Sequence, residues 1–336
     1  MTKAGLLKAG TLAAALLLAG GFAAQAVSPP ASIAKRVAPP MAPLEGAGWE
    51  LAWADEFDGD SLDRSKWTPE VSCWGGGNAE RQCYTDRPEN IAVEGGMLLL
   101  KAQKERFAGP ARPPEIAERV NPTLVQSHTS GKIRTIGLHA WRYGRIEARA
   151  KVPPGQGAWP AVWMMPDDPA YGAWPRSGEI DILEAVNIGA KCKKCAGGRG
   201  ENRTISALHF GDFAPQNRYV DSRTALENLA LPSDEFHVYA VEWGEGLIRF
   251  LVDDRVHLTV TAKQWRTASP QAKGRPAAPF DQPFYIMANL AVGGRLAEEN
   301  NAKGLADSTF PAQFAVDWIR VYRCASDPDT GRACMR

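Results

Sequence analysis

The chain has 336 residues, of which 44% are hydrophobic and 23% charged, enough apolar material to bury a sizeable core. Its 39 Lys and Arg residues stand against 38 Asp and Glu residues, a balance that argues against nucleic acid or an anionic membrane surface as partner and suits a neutral polymer. The 32 glycines and 25 prolines, spread along the chain, argue for many turns and against long helices.

In chain order, the first segment reads as a targeting signal rather than as structure. Lys3 and Lys8 give a positive start, Leu12 to Ala24 is apolar, and Ala24-Gln25-Ala26 is a small-residue cleavage site. Residues 1–26 are therefore expected to be a signal peptide and 27–47 a Pro/Ala-rich leader. A single folded domain is expected over 48–324 and a C-terminal tail over 325–336. The destination is secreted or periplasmic, with no membrane contact after cleavage and a monomer as the simplest state. Six cysteines suit an oxidising compartment and fall into local pairs, Cys73 with Cys83, Cys192 with Cys195, and Cys324 with Cys334. Spacing does not prove connectivity. Cys192-Lys193-Lys194-Cys195 also has the form of a redox or zinc half-site, although no second such pair supplies the remaining ligands.

Beyond residue 48 short alternating runs are separated by turn clusters. Arg145 to Val152 alternates polar and apolar, which predicts a strand with one wet and one buried face. Phe236 to Trp243, Leu247 to Val252, and Val256 to Thr261 repeat the style, with Gly244-Glu245-Gly246 and Asp253-Asp254 as hairpin connections. Phe284 to Val292 is a mostly apolar run suited to a buried strand, and Val316 to Tyr322 alternates again. No internal repeat and no second-domain linker is visible. The expected class is all-β, a jelly-roll β-sandwich of two curved antiparallel sheets.

The chemistry lies in Gly178-Glu179-Ile180-Asp181-Ile182-Leu183-Glu184. In a strand, Glu179 and Asp181 share a face and Glu184 has the wrong parity. A single bulge between Asp181 and Glu184 returns Glu184 to that face. Acids held close raise one another's proton affinity, so one carboxyl stays protonated while another is ionised. Glycosidic cleavage needs that split, and retaining enzymes set the two carboxyls about 5–5.5 Å apart. A polar edge-strand face or a metal cluster is the alternative reading of the same acids. Trp141, Trp159, Trp163 and Trp174 cluster just ahead of or beside them. Indole faces stack on pyranose rings and carry an N–H donor. Trp159, beside a proline and close to glycines, reads as a site residue, whereas Trp163 suits core and site equally.

These residues resemble glycoside hydrolase family 16, and within it the laminarinase-like endo-β-1,3-glucanases. The resemblance rests on Glu-Ile-Asp-Ile-Leu-Glu at 179–184, on Trp53-Ala54-Asp55-Glu56-Phe57, and on Asn78-Ala79-Glu80-Arg81-Gln82-Cys83-Tyr84-Thr85. Tyr143 to Arg149, Trp159 to Trp163, Leu208-His209-Phe210-Gly211, Asn289 to Gly294 and Val316 to Tyr322 complete it, over roughly 49–323. It implies a concave cleft, retention of anomeric configuration, Glu179 as nucleophile, Glu184 as acid/base, and Asp181 as their hydrogen-bonding neighbour. It implies Trp159, Trp163 and His209 at the sugar, with Asn78 and Asn289 as donors to hydroxyls; Trp174 joins them from the tryptophan cluster. No cofactor is required for the chemistry. A structural calcium away from the cleft is implied for Glu56, Asp317 and the Gly96 carbonyl.

The chain departs from the family pattern twice. Residues 191–202 form an insert after the carboxylate strand. Arg295-Leu296-Ala297 stands where relatives carry a Trp-Pro pair. The expected function is endo-hydrolysis of β-1,3 or mixed β-1,3/1,4 glucan. The alternatives are a galactan hydrolase of the agar or carrageenan type, a transglycosylase on the same site, and a non-catalytic glucan-binding lectin.

Overall fold

The computed structural model describes residues 48–116 and 119–335. The expected signal peptide and leader lie outside the described residues. Two antiparallel sheets pack face to face as a β-sandwich. The first runs, in spatial order, Arg255–Thr261, Leu247–Val252, His237–Gly244, Gly144–Lys151, Ala312–Cys324, Leu98–Ala102 and Ile91–Val93, with Trp49–Asp55 also paired to Ala312–Cys324. The second runs Asn217–Ala225, Arg203–Gly211, Glu179–Glu184, Ala158–Pro166, Phe284–Val292, Lys132–Arg134 and Thr68–Pro69. The only α-helix among the described residues is a short one, Gly294–Glu298.

Alternation along each strand fills the space between the sheets. Ile146, Ala148, Val241, Trp243, Ile248 and Phe250 enter it from the first sheet, and Val162, Met164, Ile180, Leu208, Ile286 and Leu290 from the second. Each of the larger of these side chains contributes about 1.5–3 kcal/mol by leaving water. Phe284–Val292 is buried throughout. Its even-numbered residues face the core, while Tyr285, Met287, Asn289 and Ala291 lie under other segments, which is why the run reads as nearly continuous apolar sequence.

The polar face of Gly144–Lys151 corrects the sequence reading, because it is not wet at its start. Arg145 and Glu147 are buried, at 3% and 6% exposure. Arg145 donates to Glu147 at 2.5 Å and to Glu242 at 2.9 Å, and also pairs with Asp254. Burial works against the guanidinium's charge, but the carboxylates outweigh it and hold the proton more firmly than usual. Alternation marks which residues share a face; it does not tell whether partners from neighbouring strands will cover that face.

All three local cysteine pairs are disulfides: Cys73–Cys83, Cys192–Cys195 and Cys324–Cys334. The last draws residues 325–335 back onto the domain, where Cys334 and Met335 pack with Trp49 and Tyr322.

Candidate active site

The seven-stranded sheet carries the three acids on its outer face. Gly178 precedes them at φ 83°, and a Cβ there would lie 2.8 Å from the Phe280 ring, so glycine alone fits the entry to the strand. The expected bulge is present. Asp181 pairs with Ala207 and Glu184 with Ile205, so Ile182 and Leu183 together face Ser206. Both residues of the bulge point inward and are almost fully buried. The bulge displaces the Ile182 carbonyl from the ladder, and the Ser206 hydroxyl donates to it at 2.8 Å. Ser206→Ala is expected to cost about 1–3 kcal/mol, the price of an unpaired buried carbonyl. Urea unfolding of the two proteins measures it.

Cross-strand pairing arranges the face in rows. Glu179 lies opposite His209, and His209 opposite Tyr219. The next row is Met287, Trp163, Asp181, Ala207 and Asp221. The third is Lys132, Asn289, Ala161, Glu184, Ile205 and Arg223. Each acid has an indole or a ring beside it. Trp174 Nε1 donates to Glu179 Oε2 at 2.5 Å, and Trp159 Nε1 to Glu184 Oε1 at 2.9 Å. His209 stands between Trp174 and Tyr219, with ring centroids at 6.2 and 5.7 Å, and its Nε2 lies 3.4 Å from Asp181 Oδ2.

The acids differ in proton affinity. Asp181 is 3% exposed. Burial first, then the charges of Glu179 and Glu184, push its carboxyl well above the usual range, and it hydrogen-bonds to Glu179. A carboxyl that keeps its proton acts as the donor in that bond. The 3.4 Å approach of His209 is too long and misdirected to count as a hydrogen bond, and Oδ2 has no other partner among the described residues. Glu184 keeps an edge open to the cleft, yet its neighbours strip most water from the carboxyl. Burial pushes it up to about 7, with the Glu179 charge adding to this, while His209, the Trp159 N–H and Arg223 hold it back.

Trp163 is half-buried on the outer face, opposite Asp181. Its Nε1 donates to Asn289 Oδ1 at 2.7 Å, and Asn289 Nδ2 donates to the Tyr84 hydroxyl at 3.0 Å. Lys132, ion-paired with Glu70 at 2.9 Å, lies 4.9 Å from the Trp163 ring centroid. Asn78 is exposed on a loop, where Nδ2 donates to Glu80 Oε1 at 3.3 Å and its carbonyl accepts from Arg295 N–H at 2.9 Å. Lys132, Tyr84, Glu80, Tyr219 and Arg223 are the neighbours that the sequence did not single out. Glu80 and Tyr84 lay in a quoted motif; the others are brought in by register alone.

The residues expected to hold calcium do not fit that ion as they are arranged. Glu56 accepts two hydrogen bonds from Arg320, at 2.7 and 2.8 Å, and Asp317 pairs with Arg149. Two guanidinium groups already neutralise the carboxylates that would have to coordinate the ion. Among the described residues, Glu56 and Asp317 belong to no group of three or more side-chain ligands.

A two-sheet sandwich with paired carboxylates and indoles on one open face is the architecture of a glycoside hydrolase. A family model described as "Beta-porphyranase A-D, GH16 domain" matches residues 49–324. The chain belongs to glycoside hydrolase family 16, among its laminarinase-like members. It is 38% identical to a glucan endo-1,3-beta-glucosidase A1 of Niallia circulans, covering 82% of this chain and 38% of that one. It is also 38% identical to a beta-glucanase of Rhodothermus marinus, covering 82% of this chain and 85% of that one. The crystal structure of the Rhodothermus marinus laminarinase superposes with a TM-score of 0.62 at 34% identity, covering 82% and 97% of the two chains. The chain thus spans about two fifths of the Niallia relative and most of the Rhodothermus one.

Proposed function

We propose that this enzyme is a retaining endo-glycosidase that cuts β-1,3 or mixed β-1,3/1,4 glucan. The observation that carries the reading is the bulged strand, which sets three acids of unequal proton affinity on one face. Glu179 attacks the anomeric carbon as Glu184 gives its proton to the glycosidic oxygen, and the C–O bond to the departing sugar breaks. A covalent glycosyl ester on Glu179 results. Glu184, now ionised, takes a proton from water; that water attacks the anomeric carbon and Glu179 leaves. Asp181 holds its proton toward Glu179 and so keeps the charge on that carboxylate localised for attack. Trp163 and Trp174 offer ring faces and edges to pyranose units, while Trp159, buried under the same face, presents its N–H to Glu184, and Asn289 holds the Trp163 indole by its N–H.

A second reading has its own support. The matching family model is named for porphyranases, and Arg223, in the row of Glu184, is exposed with no carboxylate partner among the described residues. An anionic galactan is the substrate that would use such a cation. Transfer to a sugar in place of water remains a variant of either reading. The lectin alternative falls away with the enzyme assignment. Export through the residues before 48 and a monomeric state complete the proposal; the calcium expected from the resemblance is not part of it. No helix among the described residues is long and apolar enough to cross a membrane.

The test is product analysis. Purified mature enzyme is incubated with laminarin, barley mixed-linkage glucan and a sulfated agar-type galactan, and products are resolved by chain length. Short oligosaccharides from a glucan support the first reading. Cleavage of the galactan alone supports the second, and no product from any polymer sinks both.

A further inference from the structure

One buried asparagine, Asn187, links the two segments that depart from the family pattern, binding Ala297 directly and reaching the insert through Asn301. Asn187 follows Glu184 by three positions, is fully buried, and sits at φ 59°, a left-handed conformation that asparagine tolerates better than most residues. Both ends of its amide are used. Oδ1 accepts from Gly157 N–H at 2.8 Å, while Nδ2 donates to the Ala297 carbonyl and to Asn301 Oδ1, each at 2.9 Å. Its backbone N–H donates to the Ala158 carbonyl at 3.2 Å. One side chain therefore joins the exit of the carboxylate strand, the start of the strand bearing Trp159, and the segment after Gly294–Glu298. Asn301 carries the connection on, donating to Glu201 Oε2 at 3.0 Å, and Arg203 holds Glu201 in turn. Glu201 belongs to the 191–202 insert.

What these bonds fix is the wall around Trp159. Its ring packs with Val186, Ile205, Ala291 and Ala297. Gly294 comes so close that a Cβ there would lie 3.3 Å from Trp159 Cζ3. Asn187 holds Ala297, which packs on the ring, and Gly157, which leads into the strand that bears Trp159. Trp159 is the donor to Glu184. Gln156 secures the same segment separately, through the Ala297 and Gly304 carbonyls at 3.0 Å, so the loop keeps an anchor when the Asn187 amide is lost.

We infer that Asn187 is a positioning residue for the acid/base glutamate, clamping the Trp159 wall against which the Glu184 carboxyl is set. The inference rests on Glu184 being the acid/base. Asn187→Gly keeps the left-handed backbone and deletes only the amide. It is expected to lower kcat roughly tenfold, as small misplacements of catalytic groups do, with KM nearly unchanged. The alkaline limb of the kcat/KM profile moves to lower pH, because water entering the loosened wall favours the ionised carboxylate, and burial is the larger influence on Glu184. Asn301→Gly, which keeps that residue's own left-handed backbone at φ 57° and removes the second link, shifts both quantities the same way by less, and serves if Asn187→Gly does not fold. A lower melting temperature with kcat and the alkaline limb unchanged in both variants would show a structural role only and overturn the inference. Glu184→Gln separates the two failures. If Glu184→Gln keeps the alkaline limb, the acid/base assignment is wrong. If it loses the limb while Asn187→Gly leaves it in place, the positioning role alone is wrong.

Discussion

Replacing Glu179 by Ala is expected to reduce turnover of polymer on the order of 10⁶-fold, the scale on which loss of an enzyme's nucleophile acts. Replacing Glu184 by Ala is expected to cost less, about 10²–10⁴-fold, because a positioned proton donor contributes that much. Azide distinguishes the roles better than the rates do. In Glu184→Ala the glycosyl ester still forms on an activated substrate but lacks a base to deprotonate water. Azide needs no such base, so it attacks the ester from the face opposite Glu179 and restores turnover, yielding a β-glycosyl azide. In Glu179→Ala the space left by the carboxylate admits azide, which attacks directly while Glu184 protonates the leaving oxygen, and the product is the α-glycosyl azide. NMR of the two products reads the configuration at C1. Products of the opposite configurations would exchange the roles of Glu179 and Glu184, and no rescue in either variant would remove the double-displacement mechanism from this site.

The second large effect concerns pH. Glu184 is pushed up to about 7, chiefly by burial. Between the ordinary carboxyl value of about 4.5 and that point, the folded protein keeps a proton that the unfolded chain has released. Stability from this group is therefore fully present at low pH and is lost as pH rises through 7. Asp181 and Glu80, both raised first by burial, act in the same direction. Glutamine has no proton to lose. Glu184→Gln should thus gain on wild type as pH rises, by about 2 kcal/mol between pH 5 and pH 8.5 once water at the open edge of the cleft is allowed for. Urea unfolding of both proteins at the two pH values measures the difference. Equal stabilities at both would mean that Glu184 titrates like a solvated carboxylate, and so cannot serve as an acid near neutral pH. Activity adds an independent reading: the alkaline limb of wild-type kcat/KM is expected near pH 7.

Both predictions depend on a balance that the fold maintains at some cost. Three acids on one strand repel one another, and the molecule answers with indole donors and retained protons instead of with paired cations. The cations that could neutralise them are committed elsewhere: Lys132 to Glu70, Arg176 to Asp212, and Arg203 to Glu201. Arg223 alone in the row of Glu184 stands open, which is why it enters both the proton affinity of that carboxyl and the question of substrate charge.

The sequence by itself determined the sandwich and the face of the acids. Leu247–Val252 and Phe284–Val292 are strands over the residues the alternation and the apolar run marked, and the parity mismatch of Glu184 called for the bulge that is there. These are local facts. Side-chain period, turn chemistry and the placing of three carboxylates within six residues act over distances the chain itself spans. What lies opposite what was decided only in the tertiary structure. Glu184 shares a row with Arg223 and Lys132 because of register across several strands, and no local pattern encodes that pairing. The same holds for Arg145, whose apparently wet face is closed by Glu242 and Asp254, and for Glu56 and Asp317, which meet arginines in place of a metal ion. Asn187 drew no reading from the sequence because its partners, Gly157, Ala297 and Asn301, are 30 to 114 positions away. Burial and hydrogen bonding at such separations are settled by packing, and it is there that the strand of acids acquires its wall, its donors and its proton.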